Sequence, residues 1–491
     1  MRYKFMVIAD NKIFWLKLIA ICIIAYFTIF NQLDKLSLRW WDEASYGLNA
    51  QEMIEHKNPV VVYLKGEPDR YNSKPPLAIW CMSVCVKVFG LNELGIRFAS
   101  ATFAFATVLL LFFFISSYLK NSKGGFIASL ILCSSTGYMG EHIARTGDTD
   151  SILAFWILLY VLSFIVFATS DNIRTQNKAL FLTALFLSLA CLTKGIGGLT
   201  ALPGLLVWAI IDKKIKMIFQ NRNFYFGLAI FILLVPGYYV LREILDPGYF
   251  EQVVKFEFGG RLHQQEFINP GFVPFYGYYA EMLINKRCMP WVLILPIAIL
   301  SIIFSKKSIL KTSGLIASYA ILSISLILAF SQTKTPWYDA PLYPLFAFVI
   351  GIALAILFET ITELPHRIMT WGLFLVLCYV PFASIINDHI YKEDDAHLRE
   401  FFNHYRNDLH KTDKIIAINN DPYFPLAVYI KKDNLNGFSS CQTNTSDSIF
   451  KINDVLLTLK YEREVDVYNL FVVDTIDRYF DYKVFRIKEI K

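Results

Sequence analysis

The sequence predicts an α-helical polytopic membrane protein with about 11–13 transmembrane helices and a small C-terminal soluble α/β domain on the outer side. Three observations carry this. Hydrophobic residues make up 55% of the 491-residue chain and charged residues only 18%, below the roughly 25% of a soluble domain. Apolar runs close to the ~20 residues that cross a bilayer recur throughout residues 1–388. After residue 389, charge and Asn rise and the apolar runs shorten. The net charge of +6 is spread over many short loops, which sets membrane orientation and excludes a nucleic-acid binder.

Spans are expected at 13–31, 98–118, 124–140, 151–170, 178–193, 195–211, 224–241, 288–304, 312–331, 339–358 and 368–388. The first reads as a retained anchor, because no small-residue cleavage site follows it. Basic residues assign the sides. Lys120 and Lys123, Arg174 and Lys178, Lys213, Lys214 and Lys216, Lys306, Lys307 and Lys311, and Arg367 mark cytoplasmic loops. The loops 32–97, 141–150, 242–287 and 331–338, the turn at 194 and all of 389–491 then face outward. Within 389–491, Lys414–Ile418, Val455–Leu459 and Asn469–Val473 read as strands, and Asp395–Leu409 and Tyr423–Lys431 as helices. The eight cysteines are scattered, most within apolar segments, and form neither a disulfide framework nor a zinc motif.

The outward loops hold the chemistry. Trp40-Trp41-Asp42-Glu43-Ala44-Ser45-Tyr46 opens the first. Tryptophans favour the lipid–water boundary, so a carboxylate there can reach a lipid headgroup, although Asp-Glu is also an ordinary helix start. Tyr46, Ala50, Met53 and Ile54 then share one helical face, suited to lying on the membrane surface. Lys74 precedes Pro75-Pro76, whose extended backbone aims its ammonium, or else it snorkels at a span entrance. Glu141-His142-Ile143-Ala144-Arg145-Thr146-Gly147-Asp148-Thr149-Asp150 places five ionisable residues in ten positions. Asp148 and Asp150 suit a divalent cation, and Arg145 can equally pair with Asp148. Lys194 sits at an outward turn against the positive-inside trend, as a phosphate ligand or a helix-end charge before Gly195. Arg261 suits a bidentate phosphate clamp, and His263 a metal or phosphate. Lys334 adds an outward cation beside Trp337-Tyr338. One outward cavity with a carboxylate and several cations suits a lipid-linked phosphate, its tail in the bilayer and its phosphate on the cations.

The ordered set Asp42-Glu43 with Tyr46, Arg70-Tyr71 with Lys74-Pro75, Arg97, Ala144-Arg145 with Asp150, Leu192-Thr193-Lys194-Gly195, Arg261 with His263 and Pro274-Phe275-Tyr276, and Lys334 with Tyr338 and Pro341 resembles a known family. It is similar to the C-type membrane glycosyltransferases that use polyprenyl-phosphate sugars, in the branch of the aminoarabinose lipid A transferases and protein O-mannosyltransferases. The chain departs from that pattern at Ser45, where those transferases have Arg, and at Ser73, where they have a metal-binding Glu. The resemblance implies a multi-pass protein of the bacterial inner (plasma) membrane, with its site and C-terminal domain in the periplasm. It implies transfer of a sugar from a polyprenyl-phosphate donor, such as undecaprenyl phosphate, to a lipid, glycan or protein hydroxyl, with inversion. Asp42 would be the general base, with Glu43 beside it. Lys74, Arg70, Arg145, Lys194, Arg261, Lys334 and Tyr338 would meet the donor phosphate. A divalent cation (Mg, Mn or Zn) would take ligands from Asp150, Asp148 and His263, with Glu43 as another. The rival readings are an oligosaccharyltransferase using a lipid-linked oligosaccharide and a lipid-sugar flippase. A flippase needs charges along a mid-membrane path.

Overall fold

The computed structural model describes residues 12–38, 42–140, 142–260, 277–391, 398–399, 401–402, 414–418, 424–443, 450–458, 464–479 and 482–491. Among these, eight helices are long and apolar enough to cross a membrane. A ninth is counted if Tyr278–Arg287 and Trp291–Ile303, bent by 112°, form one span. Three shorter apolar helices, Leu77–Phe89, Ser122–Cys133 and Leu202–Ile211, add to these among the described residues. The expected spans 124–140 and 195–211 appear as the shorter helices Ser122–Cys133 and Leu202–Ile211. At about 1.5 Å per residue these reach only ~18 and ~15 Å, against a hydrocarbon core of ~30 Å. Local chemistry shortens both. Ser134 and Ser135 turn their hydroxyls back onto the carbonyls of Leu130 and Ile131 and end the first. Gly195, at φ +53°, stops the Ile173–Lys194 helix, and a 3-10 turn over Gly195–Leu199 uses up the residues that follow.

Leu342–Thr360 lies at the centre of the bundle, and 83% of the apolar window of its span is buried. It packs on Ser122–Cys133 at close range, because a Cβ on Gly351 would stand 2.6 Å from that of Ala128. Small residues let helices approach in this way where water supplies no drive. The peripheral helices Arg222–Leu245 and Leu364–Tyr391 leave Leu233, Leu373 and Val380 facing outward, as a lipid-facing surface does.

The C-terminal region folds into a five-stranded sheet. β1 (Tyr63–Leu64) and β2 (Glu67–Pro68) form a small hairpin in the first loop. The sheet contains β3 (Lys414–Ile418), β4 (Ser439–Thr443), β5 (Val455–Thr458), β6 (Phe471–Tyr479) and β7 (Tyr482–Ile490), in the order β4-β3-β5-β7-β6. β3 runs parallel to both β4 and β5, and β7 is antiparallel to β5 and β6. The expected strand 469–473 begins only at Phe471, after a helix over Glu464–Leu470. The expected helix 395–409 lies largely outside the described residues.

The helix Phe424–Leu435 fastens this sheet to the Asp42–His56 helix and its neighbour. Tyr429 donates to Glu93 at 2.7 Å, and Lys431 pairs with Glu55 at 2.7 Å. The Asp42–His56 helix is therefore enclosed by protein from Glu43 to Met53 and does not lie flat on a membrane.

Candidate active site

Asp42 begins its helix with Glu43 in the same first turn, where the helix dipole favours negative charge. The loop 142–149 brings His142 and Asp148 to it. One ligand atom each from Asp42, His142 and Asp148 lie within 4.8 Å of one another. His142 Nδ1 stands 2.9 Å from Asp148 Oδ2, and its ring stacks on Trp337 at 3.7 Å. Burial opposes charge on His142, but the hydrogen bond and charge of Asp148, then the charges of Asp42 and Asp150, hold its pKa above the ordinary value. Burial likewise works against the Asp148 carboxylate, and His142, Lys194 and Lys74 outweigh it and hold its pKa low.

Two lysines face this acidic group. Lys74 donates to the hydroxyl of Tyr46, one turn after Asp42, and its ammonium lies 5.0 Å from that ring's centre. Burial, then the charges of Asp42, Asp148 and Asp150, push the Tyr46 phenol well up, so it stays a neutral hydrogen-bonding group. Lys194 donates to both oxygens of Asp150 at 2.7 Å, and its ammonium lies 4.7 Å from the Tyr338 ring centre. Segments near 42, 74, 145, 194 and 338 thus converge on one cluster of carboxylates and ammoniums. Ser73, just before Lys74, donates at 2.7 Å to the buried Glu257, so a carboxylate arrives there from a distant segment.

Other expected site residues have different partners. Glu43 is fully buried, with Arg97 donating to its two oxygens at 2.7 and 2.9 Å and the Gly147 amide at 2.8 Å. The Arg97 pair ties the Asp42 helix to the Glu93–Phe113 helix, and the Gly147 amide ties it to the loop 142–149. Arg70 pairs with Asp246, which also binds Arg242. Arg145 donates to the carbonyls of Ile29 and Asn31, at the end of the first span, and not to Asp148. Lys334 donates to the carbonyls of Leu328 and Ala329, which end the Ser308–Phe330 helix. Arg261, His263 and the segment 274–276 lie outside the described residues, as do Trp40 and Trp41. Sequence reasoning did not single out His142 or Trp337. The signal available was an ionisable ring in a loop already rich in charge.

Asp42, His142 and Asp148 offer one imidazole and two carboxylates, a donor set that suits Zn or Mn. His142 joins Asp148 in that set, while Asp150 is engaged with Lys194.

The chain has the fold of the C-type membrane glycosyltransferases. The structure of ArnT from Cupriavidus metallidurans bound to undecaprenyl phosphate matches with a TM-score of 0.73 at 14% identity, covering 95% of this chain and 97% of that one. The Archaeoglobus fulgidus oligosaccharyltransferase matches with a TM-score of 0.52 at 10% identity, over 88% of this chain and 65% of that one. Within the class, the chain resembles the aminoarabinose transferases and the protein mannosyltransferases. The family of dolichyl-phosphate-mannose-protein mannosyltransferases matches residues 73–239. An undecaprenyl phosphate-alpha-4-amino-4-deoxy-L-arabinose arabinosyl transferase of Aeromonas hydrophila is 24% identical over 374 residues, 74% of this chain and 65% of the relative. A second, from Pseudomonas fluorescens, is 26% identical over 329 residues, 64% of this chain and 55% of the relative. The chain thus spans less than two thirds of the length of these relatives.

Proposed function

We propose that the protein is a glycosyltransferase of the bacterial inner membrane. It moves a sugar from a polyprenyl phosphate, of the undecaprenyl kind, to a lipid, glycan or protein hydroxyl on the periplasmic face. The observation that supports this most is the convergence of Asp42, Lys74 and Lys194 from three distant segments. The charge asymmetry of the loops supports the periplasmic orientation.

In this reading Asp42 takes the proton of the acceptor hydroxyl as its oxygen attacks the anomeric carbon. The bond from that carbon to the phosphate oxygen breaks on the opposite face, so the centre inverts. The lipid phosphate leaves with the electron pair. Lys74, held by Tyr46, and Lys194, held by Asp150, stabilise its charge. A divalent cation fits Asp42, His142 and Asp148 and would neutralise further negative charge there. Asp42 would then help to hold the ion as well as take the acceptor's proton. Chelation should abolish turnover, and added Zn or Mn should restore it. Full activity after exhaustive chelation would remove the ion from the reading.

The reading is tested in cells carrying either the wild-type chain or Asp42→Asn. Mass spectrometry of envelope lipids, glycans and proteins should show a sugar mass increment with the first and lose it with the second. Identical envelopes would contradict the reading.

A further inference from the structure

A second cavity, of about 260 Å³, opens beside the transfer cluster, and none of Asp42, Lys74, Asp148, Asp150 and Lys194 lines it. Its polar wall holds Arg97, Arg145, Lys286 and Arg287 against Asp388. Arg97 and Arg287 are already neutralised, by Glu43 and by Asp339. Arg145 and Lys286 thus remain against one carboxylate. The Arg145 residue is only 7% exposed, and its guanidinium meets two backbone carbonyls and, among the described residues, no carboxylate. Burial first, then the Arg97 charge, pulls its pKa below the ordinary arginine value. A buried cation without a counter-charge is costly.

A second feature points the same way. Thr146, 5% exposed, lines the cavity, and its buried hydroxyl has no hydrogen-bond partner among the described residues. The cavity also lies at the level where spans end. Leu33 and Leu36 follow the span Lys12–Phe30, and Ile385 and Asp388 close Leu364–Asp388. Guanidinium and ammonium groups gathered at that level can pair with the phosphate of a lipid headgroup.

We propose that this cavity binds a phosphate group, carried by a lipid headgroup or free in solution, at a site separate from the Asp42 cluster. The phosphate oxygens would take the donors that Arg145, Lys286 and the Thr146 hydroxyl leave available. The apolar wall of Leu33, Leu36 and Ile385 would accept the start of a lipid's acyl region. The site does not depend on sugar transfer.

The test uses the full chain in dodecyl maltoside micelles, which carry no phosphate. Tm and native mass spectra are recorded with inorganic phosphate against chloride at equal ionic strength, and with added phosphatidylglycerol. Retention of either, with a raised Tm, supports the proposal, and the arm that responds identifies the source. Binding should weaken about tenfold in Lys286→Met and in Thr146→Val. Both variants leave the Arg145 contacts in place, so folding does not confound them. Binding should persist in Lys74→Met, which separates this cavity from the donor site. No stabilisation in either arm would overturn the proposal. So would unchanged binding in both cavity variants, or loss of binding in Lys74→Met alone.

Discussion

Asp42 and Glu43 are adjacent, yet they stand in different surroundings. Glu43 is 1% exposed and bound to Arg97, whereas Asp42 is half-buried and adjoins His142 and Asp148. The sequence marked the pair as one feature, because the partner that divides them lies 54 residues on. Removing one member of a buried ion pair costs about 3–5 kcal/mol. Glu43→Gln should therefore lower the unfolding free energy by that amount while the surviving folded fraction keeps its turnover. Turnover lost without loss of stability would return Glu43 to the chemistry. Lys194 and Asp150 form a second buried pair. Lys194→Met alone should be more destabilising than Lys194→Met with Asp150→Asn, because the single change strands a carboxylate. A double-mutant cycle by thermal unfolding reads this. Arg145 and Lys334 were legible as loop cations. Their use on the carbonyls of Ile29 and Leu328 was not, because helix-end contacts leave no mark in the composition.

Spans and strands were legible where a pattern was strong. Lys414–Ile418 was read directly, being a continuous apolar run held between two parallel neighbours. β4 was not, because Ser439-Ser440-Cys441-Gln442-Thr443 shows no alternation and owes its form to the ladder with β3. The two short helices were read with longer bounds, since hydropathy continues past Ser134 and across Gly195 after the backbone has turned. Close packing at Gly351 leads to a prediction. Gly351→Leu would force the central helix off Ser122–Cys133 and should cost about 1–3 kcal/mol. An unchanged melting curve would mean that the two helices do not approach this closely. The link from Phe424–Leu435 to Glu93 is similarly open to test. Tyr429→Phe leaves Glu93 short of a buried donor, for a loss of about 1–3 kcal/mol in denaturant unfolding.

The whole molecule works only if its polar loops share one compartment. A phosphatase fused after Lys491 should be active and one fused near Lys214 inactive, as the loop charges require. Their order in the chain revealed the members Asp42, Lys74, Asp150 and Lys194, because charge stands out against apolar spans. How they are paired, and the part of His142, took three-dimensional structure to see. In the proposed reaction this cluster transfers a sugar with Asp42 as its base. The most direct test is purified Asp42→Asn, with undecaprenyl phosphate binding and product formation from extracted polyprenyl-phosphate sugars measured side by side. Lipid binding should stay near wild type while turnover falls about a hundredfold to ten-thousandfold, the usual contribution of a general base. Turnover close to wild type would contradict the account.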